Sequence, residues 1–337
     1  MKKLLIGETL SELQETVLQE AMPAFTAKQI SEWLYKKRAA DLGEMTNISL
    51  KNRLLLAEKF ETGRHAPAHE SVSADGTKKY LFAVAENRFV ESVYIPDGER
   101  HTLCVSVQVG CKMNCLFCMT GKMGFAANLS VAEILNQILS VSESEKLTNI
   151  VFMGMGEPMD NLPNVLKTIE ILTADYGLAW SPHRITVSTI GIVPRMREFL
   201  EQTDCHLAVS VHSPFAAERL QLMPVQKAYP LASVLAELRR HDFSHQRRLS
   251  FEYIMFADFN DSPRHAEELA RLLRGLRCRV NLIRFHAIPN VDLKPSDETR
   301  ILAFQQTLEN KGIITTIRKS RGEDIAAACG MLSSAVA

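Results

Sequence analysis

The sequence predicts an α/β fold in which a mostly parallel sheet follows a helical region and a β-hairpin. From about residue 101, short runs rich in Val and Ile alternate with amphipathic segments. Repeated β–α units of this kind form a parallel sheet, which is either doubly wound or a full or partial barrel. Before residue 101 the hydrophobic period is first helical and then β-like, which predicts separate elements ahead of the sheet.

The composition is that of an ordinary globular protein. Of the 337 residues 46% are apolar, and 39 basic residues balance 39 acidic ones. This balance argues against non-specific polyanion binding and leaves local basic surfaces open. No run approaches the roughly 18 apolar residues of a membrane span, and the apolar run near the N-terminus is too short for a signal peptide. We therefore expect a cytoplasmic protein without a membrane segment.

Two regions are predicted before the sheet. Residues 1–62 are expected to form a small helical domain, in which Ser11 and Gln14 have the spacing of a capping box. Residues 63–96 are expected to form a linker and a β extension, with a hairpin around Glu86.

Residues 97–322 are predicted to form the β/α core, and 323–337 a C-terminal tail. Ser130 with Glu133 forms a capping box, and Gly312 ends the last helix. The predicted core strands lie in the segments TLCVSVQ, NIVFMG, RITVST, HLAVSV, LSFEYIMF, RVNLIRF and IITTIRK.

Three cysteines lie close together after the first of these strands. Cys111, Cys115 and Cys118 have the spacing C-x3-C-x2-C, and in a reducing compartment such a cluster indicates metal binding or catalysis. Three thiolates can hold a [4Fe–4S] cube whose fourth iron stays open. Their loop is expected at the carboxyl end of a strand, where barrel folds place their chemistry. The alternative is a structural zinc site completed by a distant His or Cys, although zinc sites usually show paired C-x2-C elements.

These residues give the chain a resemblance to radical S-adenosylmethionine (SAM) enzymes. In that class three such cysteines bind a [4Fe–4S] cluster and SAM chelates the fourth iron. Over nearly its whole length the chain is similar to the RlmN/Cfr family of RNA methyltransferases. The segments in question are CVSVQVGCKMNCLFC, GMGEPMDN, RITVSTIG, LAVSVHSP, LMPVQKAY, RKSRGEDIAAACG and, near the N-terminus, FTAKQISEWLYKK and EMTNIS. The resemblance implies a partial (β/α)6-type radical SAM barrel with an N-terminal accessory domain that binds RNA.

The resemblance also implies a SAM site at the carboxyl ends of the strands. From the residues alone, a Gly-x-Gly turn is more often a tight turn, and a serine at a strand end is usually a cap or loop residue. The chain departs from the family pattern at Arg284 and His286, which replace a proline and an asparagine, and His286 can still hydrogen-bond the cofactor. The implied SAM contacts are Gly156, Glu157, Ser188, Ser210, Val211, His212 and His286.

Three further residues receive catalytic roles by resemblance. Cys329 is the implied methyl carrier, Cys104 the resolving cysteine and Glu91 the general base. On the sequence alone Cys329 is equally a buried apolar residue, although the preceding basic segment RKSRGED is expected to lower the pKa of its thiol. A carboxylate on a strand, such as Glu91, is ordinarily a solvated surface residue.

The implied activity is methylation of adenosine C2 in 23S rRNA, at the peptidyl-transferase centre, and near position 37 of tRNAs. It proceeds through an S-methylcysteine and consumes two SAM per turnover. The implied partners are 23S rRNA, tRNA, a flavodoxin-like electron donor and a thiol reductant, and we expect a monomer. The alternatives are methylation at adenine C8 as in Cfr, methylation of tRNA only, a different radical SAM activity, and a zinc-stabilised RNA-binding module. Basic clusters at 36–38 and 239–248 are ordinary for solvated faces, so the RNA partner rests on the resemblance.

Overall fold

The computed structural model describes residues 2–84, 87–245 and 247–333. Glu86 of the predicted hairpin and residues 334–337 of the predicted tail lie outside these ranges. The described strands are β1 (Lys3–Leu4), β2 (Phe60–Glu61), β3 (His69–Val72), β4 (Lys78–Val84), β5 (Arg88–Asp97), β6 (Arg100–Cys104), β7 (Gln108–Gly110), β8 (Phe125–Asn128), β9 (Asn149–Phe152), β10 (Ile185–Thr189), β11 (His206–Ser210), β12 (Leu249–Met255), β13 (Arg279–Arg284) and β14 (Ile314–Ile317).

The described α-helices alternate with the later strands. They are α1 (Leu10–Gln19), α2 (Thr26–Ser31), α3 (Leu50–Lys59), α4 (Met119–Lys122), α5 (Val131–Ser140), α6 (Leu162–Thr173), α7 (Val193–Gln202), α8 (Ala216–Leu222), α9 (Leu231–Leu238), α10 (Pro263–Leu273) and α11 (Glu298–Asn310). Among the described residues, no helix is both long and apolar enough to span a membrane.

One ten-stranded sheet organises the chain, in the order β14-β13-β12-β11-β10-β9-β6-β5-β4-β3. Strand β6 and strands β9 to β14 pair in parallel, whereas β5, β4 and β3 extend the sheet antiparallel beyond β6. Six β/α units that begin with β6 are therefore followed by a seventh parallel strand, β14, which forms one edge of the sheet. This confirms the predicted α/β fold with a partial barrel, and each predicted core strand is present.

The central strands are buried because helices cover the sheet. Every residue of β12 is buried, as are eight of the ten residues of α5. Consecutive apolar residues in strands such as β9 (NIVF) and β11 (HLAVS) predicted a parallel sheet, whereas β12 also buries Ser250 and Glu252. The predicted Ser130–Glu133 capping box starts α5, and Gly312, with a φ of +80°, follows α11.

Two local predictions are wrong. The first helix is capped by Thr9 with Glu12, not by Ser11 with Gln14. Both pairs fit the capping pattern, and Glu12 is additionally fixed by an ion pair of 2.6 Å with Lys167 of α6. The first core strand also ends at Cys104 instead of continuing to Gln108, which begins a separate hairpin strand.

Candidate active site

A short hairpin presents the three clustered cysteines. β7 and β8 pair antiparallel, and the Cys111 amide donates to the Gly124 carbonyl at 3.0 Å across the base of the loop. Gly110 allows this closure, because a Cβ at its φ of +72° would lie 1.7 Å from the Gly124 oxygen. The loop that contains the cysteines is therefore held at both ends by backbone pairing.

The three thiols line one cavity of about 160 Å³ at the carboxyl ends of the core strands. Burial raises the pKa of Cys111 to about 12 and raises the pKa of Cys115 and Cys118. Thiols in such surroundings become thiolates when a cation binds them. Among the described residues, no three His, Cys, Asp or Glu side chains converge closely enough to hold a single ion. Three soft donors around a shared cavity suit a cluster, in which each thiolate can bind a different iron.

The turn after β9 forms a second wall of the cavity. Gly156 has a φ of +98°, and a Cβ there would lie 2.5 Å from the Cβ of Gln108, so only glycine lets the turn approach β7. Glu157 is buried and accepts hydrogen bonds from the Thr189 hydroxyl at 2.6 Å and from the Ile190 amide at 3.1 Å. Burial raises the pKa of Glu157 to about 7, so a cation in the cavity would stabilise its ionised form.

The strand ends β10 and β11 supply the remaining predicted SAM residues. Ser188, Ser210 and His212 line the cavity, whereas Val211 is fully buried beside it. The His212 Nδ1 accepts from the Ile254 amide at 3.0 Å. Burial lowers the pKa of His212 to about 3, which keeps the ring neutral.

His286 lies in a neighbouring cleft and not in the cysteine cavity. Its Nε2 is 3.1 Å from the Ser320 hydroxyl, and its Nδ1 is 3.6 Å from a Glu323 carboxylate oxygen. A contact between His286 and SAM therefore stays a prediction.

The C-terminal segment brings Cys329 to the cavity. The Gly330 carbonyl accepts from the Met119 amide at 2.8 Å, and the Leu332 carbonyl accepts from the Thr120 hydroxyl at 2.8 Å. Cys329 is accessible because it faces the cysteine cavity and the neighbouring cleft. The segment is thus attached to the cluster loop.

Cys104, at the end of β6, is buried close to Cys329. Burial and the nearby Cys329 raise the pKa of Cys104. Both residues are free thiols, as are the other cysteines. Although Cys329 faces two open spaces, the protein around its thiol still desolvates it and raises its pKa. The predicted lowering of this pKa by the basic segment is therefore wrong, although Arg318 does act in that direction. The structure thus brings together two thiols that are separated by more than two hundred residues.

Glu91 of β5 is 1% exposed, contrary to the usual expectation for a carboxylate on a strand. Its Oε1 forms an ion pair with Lys79 of β4 at 3.1 Å, and its Oε2 accepts from the Ser333 amide at 2.9 Å. The segment that carries Cys329 therefore also contacts Glu91 through Ser333.

The structure adds residues that the sequence had not indicated. Glu252 of β12 is buried, lines the cavity and accepts from the Asn281 side chain at 2.7 Å. The sequence did contain one indication of Glu252, which is a glutamate within the largely apolar segment LSFEYIM. Lys79, by contrast, lies in an ordinary polar stretch. The strand register pairs Glu91 with Leu81, and Lys79, two residues before Leu81, reaches Glu91 diagonally.

The class of protein follows from this geometry together with one family model. Residues 105–273 match the model described as the Radical SAM superfamily, which includes the cysteine loop and most of the parallel strands. The chain is a radical SAM enzyme.

More specific similarities define the family. Residues 4–62 match the model described as the ribosomal RNA large subunit methyltransferase N-terminal domain. The chain is 59% identical to the probable dual-specificity RNA methyltransferase RlmN of Parabacteroides distasonis, across 99% of this chain and 97% of that one. It is 41% identical to the dual-specificity RNA methyltransferase RlmN of Syntrophobacter fumaroxidans, across 96% of each chain. The chain therefore belongs to the RlmN family.

A solved structure agrees with this assignment. The crystal structure of a radical SAM methyltransferase from Sphaerobacter thermophilus superposes with a TM-score of 0.94 at 38% identity, over 99% of this chain and 100% of that one. Radical SAM enzymes of the RlmN family use a [4Fe–4S] cluster and SAM, and the three-thiol cavity fits that pair.

Proposed function

We propose that this chain is a radical RNA methyltransferase that methylates adenosine C2 in 23S rRNA and in tRNAs through an S-methylcysteine. One observation carries the proposal: Cys329 lines the cavity of the three clustered cysteines, and its own tail contacts Glu91. The full-length relatives named RlmN favour C2 over the C8 chemistry of Cfr.

The proposed ligands follow the geometry of the cavity. Cys111, Cys115 and Cys118 would hold the cluster, and the opposite wall, formed by Gly156, Glu157, Ser188, Ser210 and His212, would hold SAM. When bound, the cluster and SAM would supply a methyl group and a carbon radical. The radical is needed because adenine C2 is electron-poor and therefore a weak nucleophile.

The chain's own residues would perform the other steps. The Cys329 thiolate takes up the methyl group and presents it to the adenine. Glu91 would accept the proton from the ring, and its ion pair with Lys79 would stabilise the carboxylate. After the adduct has lost the ring proton and returned one electron, which the cluster would accept when bound, the Cys104 thiolate attacks the Cys329 sulfur. The bond between that sulfur and the transferred carbon breaks as the disulfide forms, and the released carbon takes up a proton to become the methyl group. An external thiol then reduces the disulfide.

We also propose the domain division that the sequence predicted. Residues 1–62 would be the RNA-binding accessory domain, 63–96 the linker and β extension, 97–322 the core and 323–337 the tail. The two family models, at 4–62 and 105–273, support this division. A flavodoxin-like electron donor, a monomeric state and a cytoplasmic location belong to the same proposal.

Product analysis tests the function. The reconstituted enzyme would be incubated anaerobically with SAM, reductant and either a 23S rRNA transcript or a tRNA transcript, and the RNA would be digested to nucleosides. We expect 2-methyladenosine from both substrates. 8-Methyladenosine would establish the Cfr alternative, and the absence of any methylated adenosine would contradict the proposal.

A further inference from the structure

A basic cleft lies beside the cysteine cavity. It has a volume of about 360 Å³ and lies between the start of β6 and the segment that follows β14. Cys329 lines both spaces, so a molecule in the cleft reaches the proposed methyl carrier. The cationic residues that line this basic cleft are Arg100, Arg284, Arg318, Lys319 and Arg321.

Three of these cations lack an anionic partner. Glu298 pairs with Arg284 at 2.7 Å, and Asp97 pairs with Arg321 at 2.8 Å. Within the described ranges, no carboxylate lies within ion-pair distance of Arg100, Arg318 or Lys319. The basic cleft therefore has an uncompensated positive charge.

Two of the unpaired cations also repel each other. Partial burial and the charge of Arg318 both lower the pKa of Arg100, and the charge of Asp97 offsets only part of this. The Arg100 Nε donates to the Thr102 hydroxyl at 3.2 Å. Like charges that are kept close in a cleft are unfavourable unless an anion lies between them.

The basic runs that stand out in the sequence differ from this cleft. Lys37 pairs with Glu32 at 3.5 Å, and Arg247 pairs with Asp204 at 3.3 Å. Those charges are at least partly compensated on the surface. What distinguishes Arg100, Arg318 and Lys319 is that the cleft they line also contains Cys329.

We propose that Arg100, Arg318 and Lys319 bind the RNA phosphates that flank the target adenosine and so direct that base to Cys329. This inference rests on the proposed function. A base that reacts in a cavity must leave its stack, and its flanking phosphates then lie at the entrance to that cavity. Each guanidinium group can donate two parallel hydrogen bonds to the oxygens of one phosphate, and the Lys319 ammonium can donate a further hydrogen bond.

The test removes two of the three charges. Arg100 and Lys319 line only the basic cleft, whereas Arg318 also lines the cysteine cavity, so the variant is R100Q/K319Q. The matched control is R274Q/K311Q, which loses the same charge at exposed positions after α10 and α11. Binding of the tRNA and 23S rRNA transcripts would be measured by fluorescence anisotropy at several salt concentrations.

We expect the Kd of R100Q/K319Q to rise about 100-fold, since one hydrogen bond to a charged group is worth about a factor of ten. The slope of log Kd against log salt should fall by about 1.4, or roughly 0.7 for each lost contact with a single strand. In turnover, KM for RNA should rise more than kcat falls, while RNA-independent methylation of Cys329 by SAM stays at the wild-type level. The control should change Kd less than threefold.

A Kd and a salt slope equal to those of R274Q/K311Q would overturn the inference. The exposed single variant K319Q should show half of the slope change, so the result does not depend on the double variant alone. If the wild-type enzyme makes no methyladenosine, the proposed function fails. If the wild type methylates RNA and R100Q/K319Q binds it like the control, only this inference fails.

Discussion

Replacing Lys79 tests the surroundings of Glu91. The Glu91 side chain is 2% exposed and that of Lys79 15% exposed, so Lys79→Met leaves a buried carboxylate without its cation. Loss of one partner from a buried ion pair costs about 3–5 kcal/mol. The Ser333 amide still donates to Glu91 and offsets about 1 kcal/mol, so we expect a loss of about 3 kcal/mol in the free energy of unfolding.

Anaerobic urea unfolding of the cluster-loaded enzyme measures this loss. The double variant K79M/E91Q removes the uncompensated charge and should recover about 2 kcal/mol, which a double-mutant cycle isolates. The control is Lys59→Met, because Lys59 pairs with Glu20 at 2.7 Å but is 55% exposed and should cost less than about 1 kcal/mol. Equal losses for K79M and K59M, or no recovery in the double variant, would refute the reasoning.

Three further predictions concern the same framework. Gly156→Ala forces a Cβ against Gln108 and should abolish detectable SAM binding in equilibrium dialysis, whereas Gly275→Ala, at a φ of +82° with nothing within 4 Å, should leave it unchanged. Glu91→Gln should lower RNA methylation about 100-fold in a nucleoside assay without changing the methyl content of Cys329; equal losses in both would contradict a proton-accepting role. Burial lowers the pKa of His206 to about 4, so the unfolded chain takes up its proton first and stability should fall as pH drops from about 6.5 towards 4. His206→Gln should make that decline in urea midpoint shallower, and an unchanged pH dependence would exclude the histidine as its source.

The parallel core was predictable because its strands are buried on both faces, and consecutive apolar residues such as those of β9 (NIVF) and β11 (HLAVS) are typical of buried parallel strands. The short hairpin of β7 and β8 was not, since it depends on backbone pairing around Gly110 and has no hydrophobic period. The first capping pair was also ambiguous in the sequence, and a distant contact with Lys167 favours Glu12.

The candidate site also has a part that residue spacing predicts and a part that it does not. The spacing of Cys111, Cys115 and Cys118 is local, so it is visible in the sequence, and the structure places the three thiols around one cavity. The position of Cys329 near Cys104 is a tertiary property, and it depends on hydrogen bonds between the tail and the cluster loop. Residue spacing contains no information about that contact, and family resemblance was its only earlier indication.

The central claim is the thiol–disulfide exchange between Cys104 and Cys329. Cys104→Ala removes the thiol that would release the methylated base from Cys329, and the alanine fits its buried position. After one anaerobic turnover with SAM, reductant and a tRNA transcript, denaturing electrophoresis and mass analysis would determine whether RNA remains joined to the protein. The account predicts RNA covalently attached at Cys329 in C104A and none in C104A/C329A. Free 2-methyladenosine formed by C104A at the wild-type rate would contradict it.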